Sequence, residues 1–250
     1  MPPRPVLRLD LAGASVPAIL MHPRDAAPAG ARDAREPVRV PAALLLHGYS
    51  SRKERMAETV GKALARAGMA SLAIDLPLHG ERGHEMDAQA ARNPLQLAQR
   101  WRAAVVECGA ALAWLGAQPG IDASRLAVVG YSMGAFLGCE VAAREASVRA
   151  LVLAAGGDLP KATPFAMLVK TVADPIRAIR RFAGRPLLMV HGRHDTTVRP
   201  DQAERLHAAA GEPKELRWYE AGHYLPPGVV LEAAEWLAAS LTRPQARRSG

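Results

Sequence analysis

The stretch VVGYSMGAFLG, residues 128–138, sets Ser132 between Gly130 and Gly134 directly after a β-branched run. The pattern is G-x-S-x-G, in which a serine sits on a sharp strand-to-helix turn with its hydroxyl raised above a sheet. Side chains flanking such a turn would collide, which explains the paired glycines. A serine hydroxyl becomes a useful nucleophile only when a base takes its proton and a third group orients that base. With 21 glycines and 9 serines in 250 residues, chance alone gives roughly 0.06 such matches. The motif therefore needs partners elsewhere in the chain; without them it is a plain strand-to-helix turn.

Those partners should follow in the order acid, then histidine, each just past a strand. VHGRHDTTV (190–198) supplies Asp195 after one strand, and YEAGHYLP (219–226) supplies His223 after the last. Asp158 also follows a strand and, with Asp174, is an alternative acid. Among the other downstream histidines, His191 at a strand end and His207 on a helix read as structural, and His194 as a neighbour of the acid. The oxyanion of a tetrahedral intermediate needs backbone donors. The amide of Met133, directly after the serine, is one candidate. The other is Tyr49, in LLLHGYSS (44–51) beside Gly48. The Tyr49 ring is also a candidate pocket wall, a packed surface tyrosine being the plain alternative, and His47 reads as a residue that holds the turn.

Positioning these groups takes alternating strands and helices. Apolar runs predict strands at 5–11, 16–21, 38–48, 69–75, 125–130, 148–157, 186–192 and 215–220, the first two forming a hairpin about Gly13. Helical spacing predicts helices at 53–67, 94–115, 133–145, 200–211 and 228–241. Such alternation implies βαβ units and a mainly parallel sheet. Between two strands lie the 29 residues 156–184, read as a small cap insertion, with Phe165, Met167, Leu168, Val169, Ile176, Ile179 and Phe182 as its apolar positions. Phe165 and Met167 are the expected substrate contacts there; a helix that merely covers the sheet is the alternative. No internal repeat or low-complexity linker divides the chain. The reading is one domain over 1–250, with a flexible tail at 243–250.

Composition narrows the function classes. At 49% hydrophobic and 22% charged residues the chain has ample material for a core. The net charge of +8 rests on 27 arginines and 5 lysines that are scattered, with aromatics at only 4%. A basic stripe interleaved with aromatics, the mark of a nucleic-acid binder, is not there. Cys108 and Cys139 lack C-x-x-C spacing, which argues against structural zinc, and they read as buried free thiols. No stretch approaches the roughly 20 apolar residues of a membrane span, and the opening residues lack an apolar signal-type segment. The expectation is a cytoplasmic protein, monomeric or homodimeric, with no nucleic-acid or membrane partner.

Together these motifs resemble those of the serine α/β-hydrolases, in particular small single-domain esterases of the branch related to dienelactone hydrolases and prolyl oligopeptidases. The residues that carry the resemblance are HGYSSRKE (47–54), DLPLHGER (75–82), GYSMG (130–134), HGRHDTTV (191–198) and AGHY (221–224), and they span roughly residues 40–225. The resemblance implies an α/β-hydrolase fold, a mostly parallel eight-stranded sheet flanked by helices. It further implies hydrolysis of a small-molecule carboxylic ester through an acyl-enzyme on Ser132, His223 and Asp195, with no metal and no organic cofactor. Asp75, His79 and Arg82 are family-like and would hold a loop near the site. Two departures matter. Dienelactone hydrolases proper use cysteine where position 132 is serine, and the oligopeptidases carry a propeller for which this chain has no room. Thioesterases, lactonases, acyltransferases and perhydrolases share the same triad and stay open. A non-catalytic binding protein on the same scaffold is the alternative of a different class, and the complete set of Ser, His and Asp counts against it.

Overall fold

The computed structural model describes residues 5–23, 39–83, 94–160 and 173–242. Its strands are β1 (Leu7–Leu11), β2 (Ala14–Met21), β3 (Val40–Leu46), β4 (Ala70–Ile74), β5 (Ile121–Tyr131), β6 (Val148–Ala154), β7 (Leu187–Gly192) and β8 (Lys214–Tyr219). They form one eight-stranded sheet in the order β1-β2-β4-β3-β5-β6-β7-β8. β1 and β2 make the expected hairpin, turning through Ala12 and Gly13, both at positive φ. β2 lies antiparallel on β4, and every later pairing is parallel. β5 begins earlier than its apolar run suggests, because Val40 pairs with Ile121 across an irregularity in the ladder.

The helices are α1 (Lys53–Met56), α2 (Lys62–Arg66), α3 (Pro94–Gly116), α4 (Met133–Arg144), α5 (Pro175–Arg181), α6 (Pro200–Ala209) and α7 (Pro227–Thr242). A π turn, Ala57–Gly61, interrupts the single helix predicted over 53–67 and separates α1 from α2. Successive strand residues point to opposite faces. Leu44, Leu46, Leu72, Ile74, Val128, Leu151 and Leu153 pack in one core cluster with residues of α3, α4, α5 and α6. Leu45, Ala73, Val129, Val152, Leu188 and Val190 pack in a second cluster with residues of α1, α2 and α7. Covered on both faces, the central strands become continuous apolar runs rather than alternating ones.

Of the expected cap at 156–184, the ends 156–160 and 173–184 are described. Asp174 caps α5 by accepting a hydrogen bond from the Arg177 amide at 2.9 Å, with Pro175 at the first helical position. Ala178, Ile179 and Phe182 are buried in the first core cluster. This part of the segment therefore packs against α4 and α6. Phe165, Met167, Leu168, Val169 and the tail 243–250 lie outside the described residues. Among the described residues no helix is long and apolar enough to cross a membrane.

Parallel strands send the loops after β3, β4, β5, β7 and β8 to one edge of the sheet. At that edge α4 leaves β5 and passes β3 at very short range. A Cβ on Gly130 would stand 2.2 Å from the Gly134 carbonyl oxygen, and a Cβ on Gly134 would stand 2.1 Å from that of Leu46. All the atoms met are backbone, so nothing can yield. Gly130→Ala or Gly134→Ala is expected to cost at least about 3 kcal/mol of stability. Gly228→Ala at the start of α7, where a Cβ would meet nothing within 4 Å, should change it by less than about 1 kcal/mol. Urea unfolding of the three variants checks the contrast, and equal effects at the three sites would contradict it.

Candidate active site

Ser132 joins β5 to α4 with φ 51° and ψ −116°, a region that costs a non-glycine residue about 1–3 kcal/mol. Backbone bonds hold it there. Its amide donates to Ala154 at 2.9 Å, and its carbonyl accepts from the amides of Ala135 and Phe136 at 2.8 and 3.2 Å. Met133 is the first residue of α4, where amides have no carbonyl partner within the helix and the dipole is positive. Gly48 lies close by: a Cβ on it would be 3.3 Å from Ser132 Cβ and 3.0 Å from Tyr131 Cδ1. Tyr49, next in the chain, is 54% exposed, and its ring stands edge-on to that of His79 at 5.5 Å.

His223, in the loop after β8, lies between Ser132 and Asp195. Its Nε2 is 2.9 Å from Ser132 Oγ, and its Nδ1 is 2.8 Å from Asp195 Oδ2. The tautomer that satisfies both bonds carries its proton on Nδ1, leaving Nε2 to accept from the serine hydroxyl. The Asp195 side chain is fully buried. Its Oδ1 accepts from the amides of Thr197 and Val198 at 2.8 and 3.0 Å, which aims Oδ2 at the imidazole. Asp158 is engaged elsewhere, with Arg205 of α6 at 2.9 Å, and Asp174 caps α5. Neither is bonded to His223. His191 is buried with Nε2 2.8 Å from the Val198 carbonyl, and His207 lies on α6. His194, expected beside the acid, is exposed and bonds to Glu220 at 2.9 Å instead, because its neighbour Asp195 turns inward.

The turn that carries Tyr49 is fastened at both ends to two consecutive residues after β4. At its start His47 is fully buried; its Nδ1–H donates to the Gly48 carbonyl at 2.8 Å, and its Nε2 accepts from the Leu76 amide at 3.0 Å. Burial pushes the His47 imidazole down to about 4, against the Gly48 carbonyl that favours the charged form. At the turn's end the Lys53 amide donates to Asp75 Oδ1 and the Lys53 ammonium to Asp75 Oδ2, both at 2.9 Å. The same ammonium meets Glu81 at 2.6 Å and Glu54 at 2.7 Å. Burial opposes its charge, but these three carboxylates hold Lys53 well above the usual lysine range. Arg82 closes the assembly with a two-pronged pair to Glu107 at 2.6 and 3.0 Å and a bond to the Asp75 carbonyl. His79 is buried beside it, with Nδ1 on the Pro77 carbonyl and its ring 5.0 Å from that of His47. Asp75, His79 and Arg82 thus stand around the loop they were expected to hold. Lys53 and Glu81 were inside the quoted motifs, but only their contacts single them out. Among the described residues no cluster of three or more His, Cys, Asp or Glu could hold a metal ion.

An eight-stranded, mostly parallel sheet between helix layers, with a serine on the turn after its central strand, is the α/β-hydrolase fold. Residues 29–225 match the dienelactone hydrolase family, and the chain belongs to that family. No curated protein matches the sequence. Among solved structures, it is similar to a cold-adapted esterase from an Arctic intertidal metagenomic library, at 23% identity and TM-score 0.73, over 95% of this chain and 93% of that one. It is similar to TT1662 from Thermus thermophilus at 24% identity and TM-score 0.72, over 96% and 99%. It is also similar to an acetyl xylan esterase from Paenibacillus sp. R4, at 19% identity and TM-score 0.72, over 92% and 81%. At these identities the likeness is one of fold.

Acid should undo the His47 fastening. Its value of about 4 in the folded protein lies below the ordinary 6.5, so between those limits the unfolded chain binds more protons than the folded one. Stability is then full above pH 6.5 and falls as pH drops, by roughly 3 kcal/mol at pH 4 from this residue. His191, also lowered by burial, acts in the same direction. Urea-unfolding midpoints across this window should fall with acidification, and His47→Gln should start lower yet fall less. Parallel slopes in the two proteins would overturn the assignment.

Proposed function

We propose that the protein hydrolyses carboxylic esters through an acyl-enzyme, with Ser132 as nucleophile, His223 as general base and acid, and Asp195 as the residue that orients His223. One observation carries the reading: a continuous bond path from Asp195 Oδ2 through the imidazole to Ser132 Oγ, at 2.8 and 2.9 Å. Ser132 Oγ attacks the ester carbonyl as its proton passes to His223 Nε2, and buried Asp195 stabilises the imidazolium. The amides of Met133 and Tyr49 take the oxyanion. Collapse expels the alcohol, which receives the proton from Nε2, and the ester bond is replaced by an acyl bond to Ser132. Water, deprotonated by the same nitrogen, then releases the acid and restores the serine. These residues suffice for the reaction, so no metal or organic cofactor is invoked. Thioesters and lactones would pass through the same steps.

The substrate is proposed to be a small ester with an acyl chain of roughly two to six carbons. The main room for a cover is the 29 residues 156–184, and the described helix within them packs on α4 and α6. Phe165 and Met167 are the proposed acyl contacts, with the Tyr49 ring at the rim. The acetyl group in the name of one structural neighbour is the two-carbon case.

Ser132→Ala should abolish both ester turnover and labelling by a fluorophosphonate probe. Asp195→Asn should lower kcat by about 10⁴-fold, because the imidazole then settles in the wrong tautomer, whereas Asp158→Asn should leave it nearly unchanged. Comparable losses in the two Asn variants at equal folded fraction would refute the assignment of the acid. Across p-nitrophenyl esters from acetate to palmitate, kcat/KM should peak at short chains and decline gradually. Each methylene beyond the pocket weighs only about 1–3 kcal/mol. An optimum at laurate or longer would exclude the short pocket.

A further inference from the structure

Tyr131 is the last residue of β5, paired with Ala154 of β6, and it immediately precedes Ser132. Its hydroxyl donates to the backbone carbonyl oxygen of His223 at 2.6 Å, joining positions 92 apart in the chain. The two rings face each other at 5.6 Å between centroids, tilted by 54°. The ring's Cδ1 borders Gly48, where a Cβ would come within 3.0 Å of it. One rigid side chain, rooted in the strand that delivers Ser132, therefore touches the turn of Tyr49 and holds the backbone of His223.

The His223 loop needs such an anchor. Residues 220–226 form neither helix nor strand. A Cβ on Gly222, the residue before His223, would have only the His194 carbonyl oxygen at 3.8 Å for company. Two side-chain bonds set the rotation of the imidazole, but they do not fix the backbone from which it hangs. A backbone shift of 1 Å at a reacting group can cost about 10²-fold in rate. Burial raises the Tyr131 phenol to about 12, so it remains a donor throughout the range in which His223 works.

We propose that Tyr131 is a positioning residue, whose hydroxyl fixes the His223 backbone so that Nε2 meets Ser132 Oγ. This rests on the proposed roles of Ser132 and His223, and its test separates the two ideas. Tyr131→Phe keeps the ring and its packing on Gly48 and deletes only the bond. The second-order rate of Ser132 labelling by a fluorophosphonate reads the activation of the serine whatever the natural ester is. In the full-length variant that rate should fall about 5- to 20-fold, with kcat on p-nitrophenyl acetate falling alike and KM staying within about twofold. The thermal midpoint should move by no more than a few degrees. Labelling within twofold of the parent rate would overturn the proposal while leaving the triad intact. A loss of labelling that merely tracks a loss of folded protein would assign the bond to stability and overturn it as well. A parent chain that does not label at Ser132 at all would defeat the reading of the triad, and this proposal with it.

Discussion

The rest of the molecule is arranged around a steric limit: α4 leaves β5 at a range that admits no Cβ on Gly130 or Gly134. Because Gly134 also abuts the Leu46 carbonyl, the limit couples three elements, fixing β3, β5 and α4 together at the middle of the sheet. Ser132 then has no extended or helical conformation open to it and takes φ 51°. That strain lifts its hydroxyl clear of the sheet edge and leaves the start of α4 beneath it. The turn after β3 must also pass close over the serine, as the short separation of Gly48 and Ser132 shows.

A turn held only by steric contact could still rotate. Here it is tied at His47 and again at Lys53, and both ties end on Asp75 and Leu76. Burying the Lys53 ammonium with Asp75 carries a large desolvation cost, and such pairs contribute little net stability compared with apolar packing. What they supply is direction. Asp75 receives the Lys53 amide on one oxygen and the Lys53 ammonium and Glu81 amide on the other. The start of α1 therefore has one rotational setting relative to β4. His47 adds the same kind of constraint without charge, since its two ring nitrogens are committed to one donor and one acceptor.

The elements were legible in the sequence because their signals are local. Apolar runs ending at Gly48, Gly130 and Gly192 marked the ends of β3, β5 and β7, and Gly13 marked the hairpin. Position alone could not choose between Asp195 and Asp158, since both follow a strand. The choice becomes visible only where Asp158 meets Arg205 and Asp195 meets His223. The joining of His47 to Leu76, of Lys53 to Asp75 and of Tyr131 to His223 has no period to detect, because each spans strands far apart in sequence. The π turn inside the predicted helix 53–67 was equally hidden, the apolar spacing of Met56, Val60 and Leu64 being compatible with an unbroken helix. His194 shows the converse error. Adjacency to Asp195 in sequence suggested adjacency in the site, but consecutive residues in a loop point opposite ways, and the histidine faces Glu220.

The loops at this sheet edge are braced mainly against one another. The Asp195 loop joins the His223 loop through the His194 amide on the Ala221 carbonyl at 2.9 Å and the Arg193 amide on the Tyr219 carbonyl at 2.8 Å. The His223 loop joins the end of β5 through Tyr131, and that tyrosine borders Gly48 in the turn fastened to Asp75 and Leu76. The braces thus run from the loops after β7 and β8 to the end of β5, and on through the turn after β3 to β4, crossing the sheet in the direction perpendicular to its strands. His223 is held at three separate atoms: its backbone carbonyl, its Nδ1 and its Nε2. A group proposed to both take and return a proton needs that definition more than the serine, whose place the elbow already sets. Asp195, with two amides on one oxygen, needs it less than either.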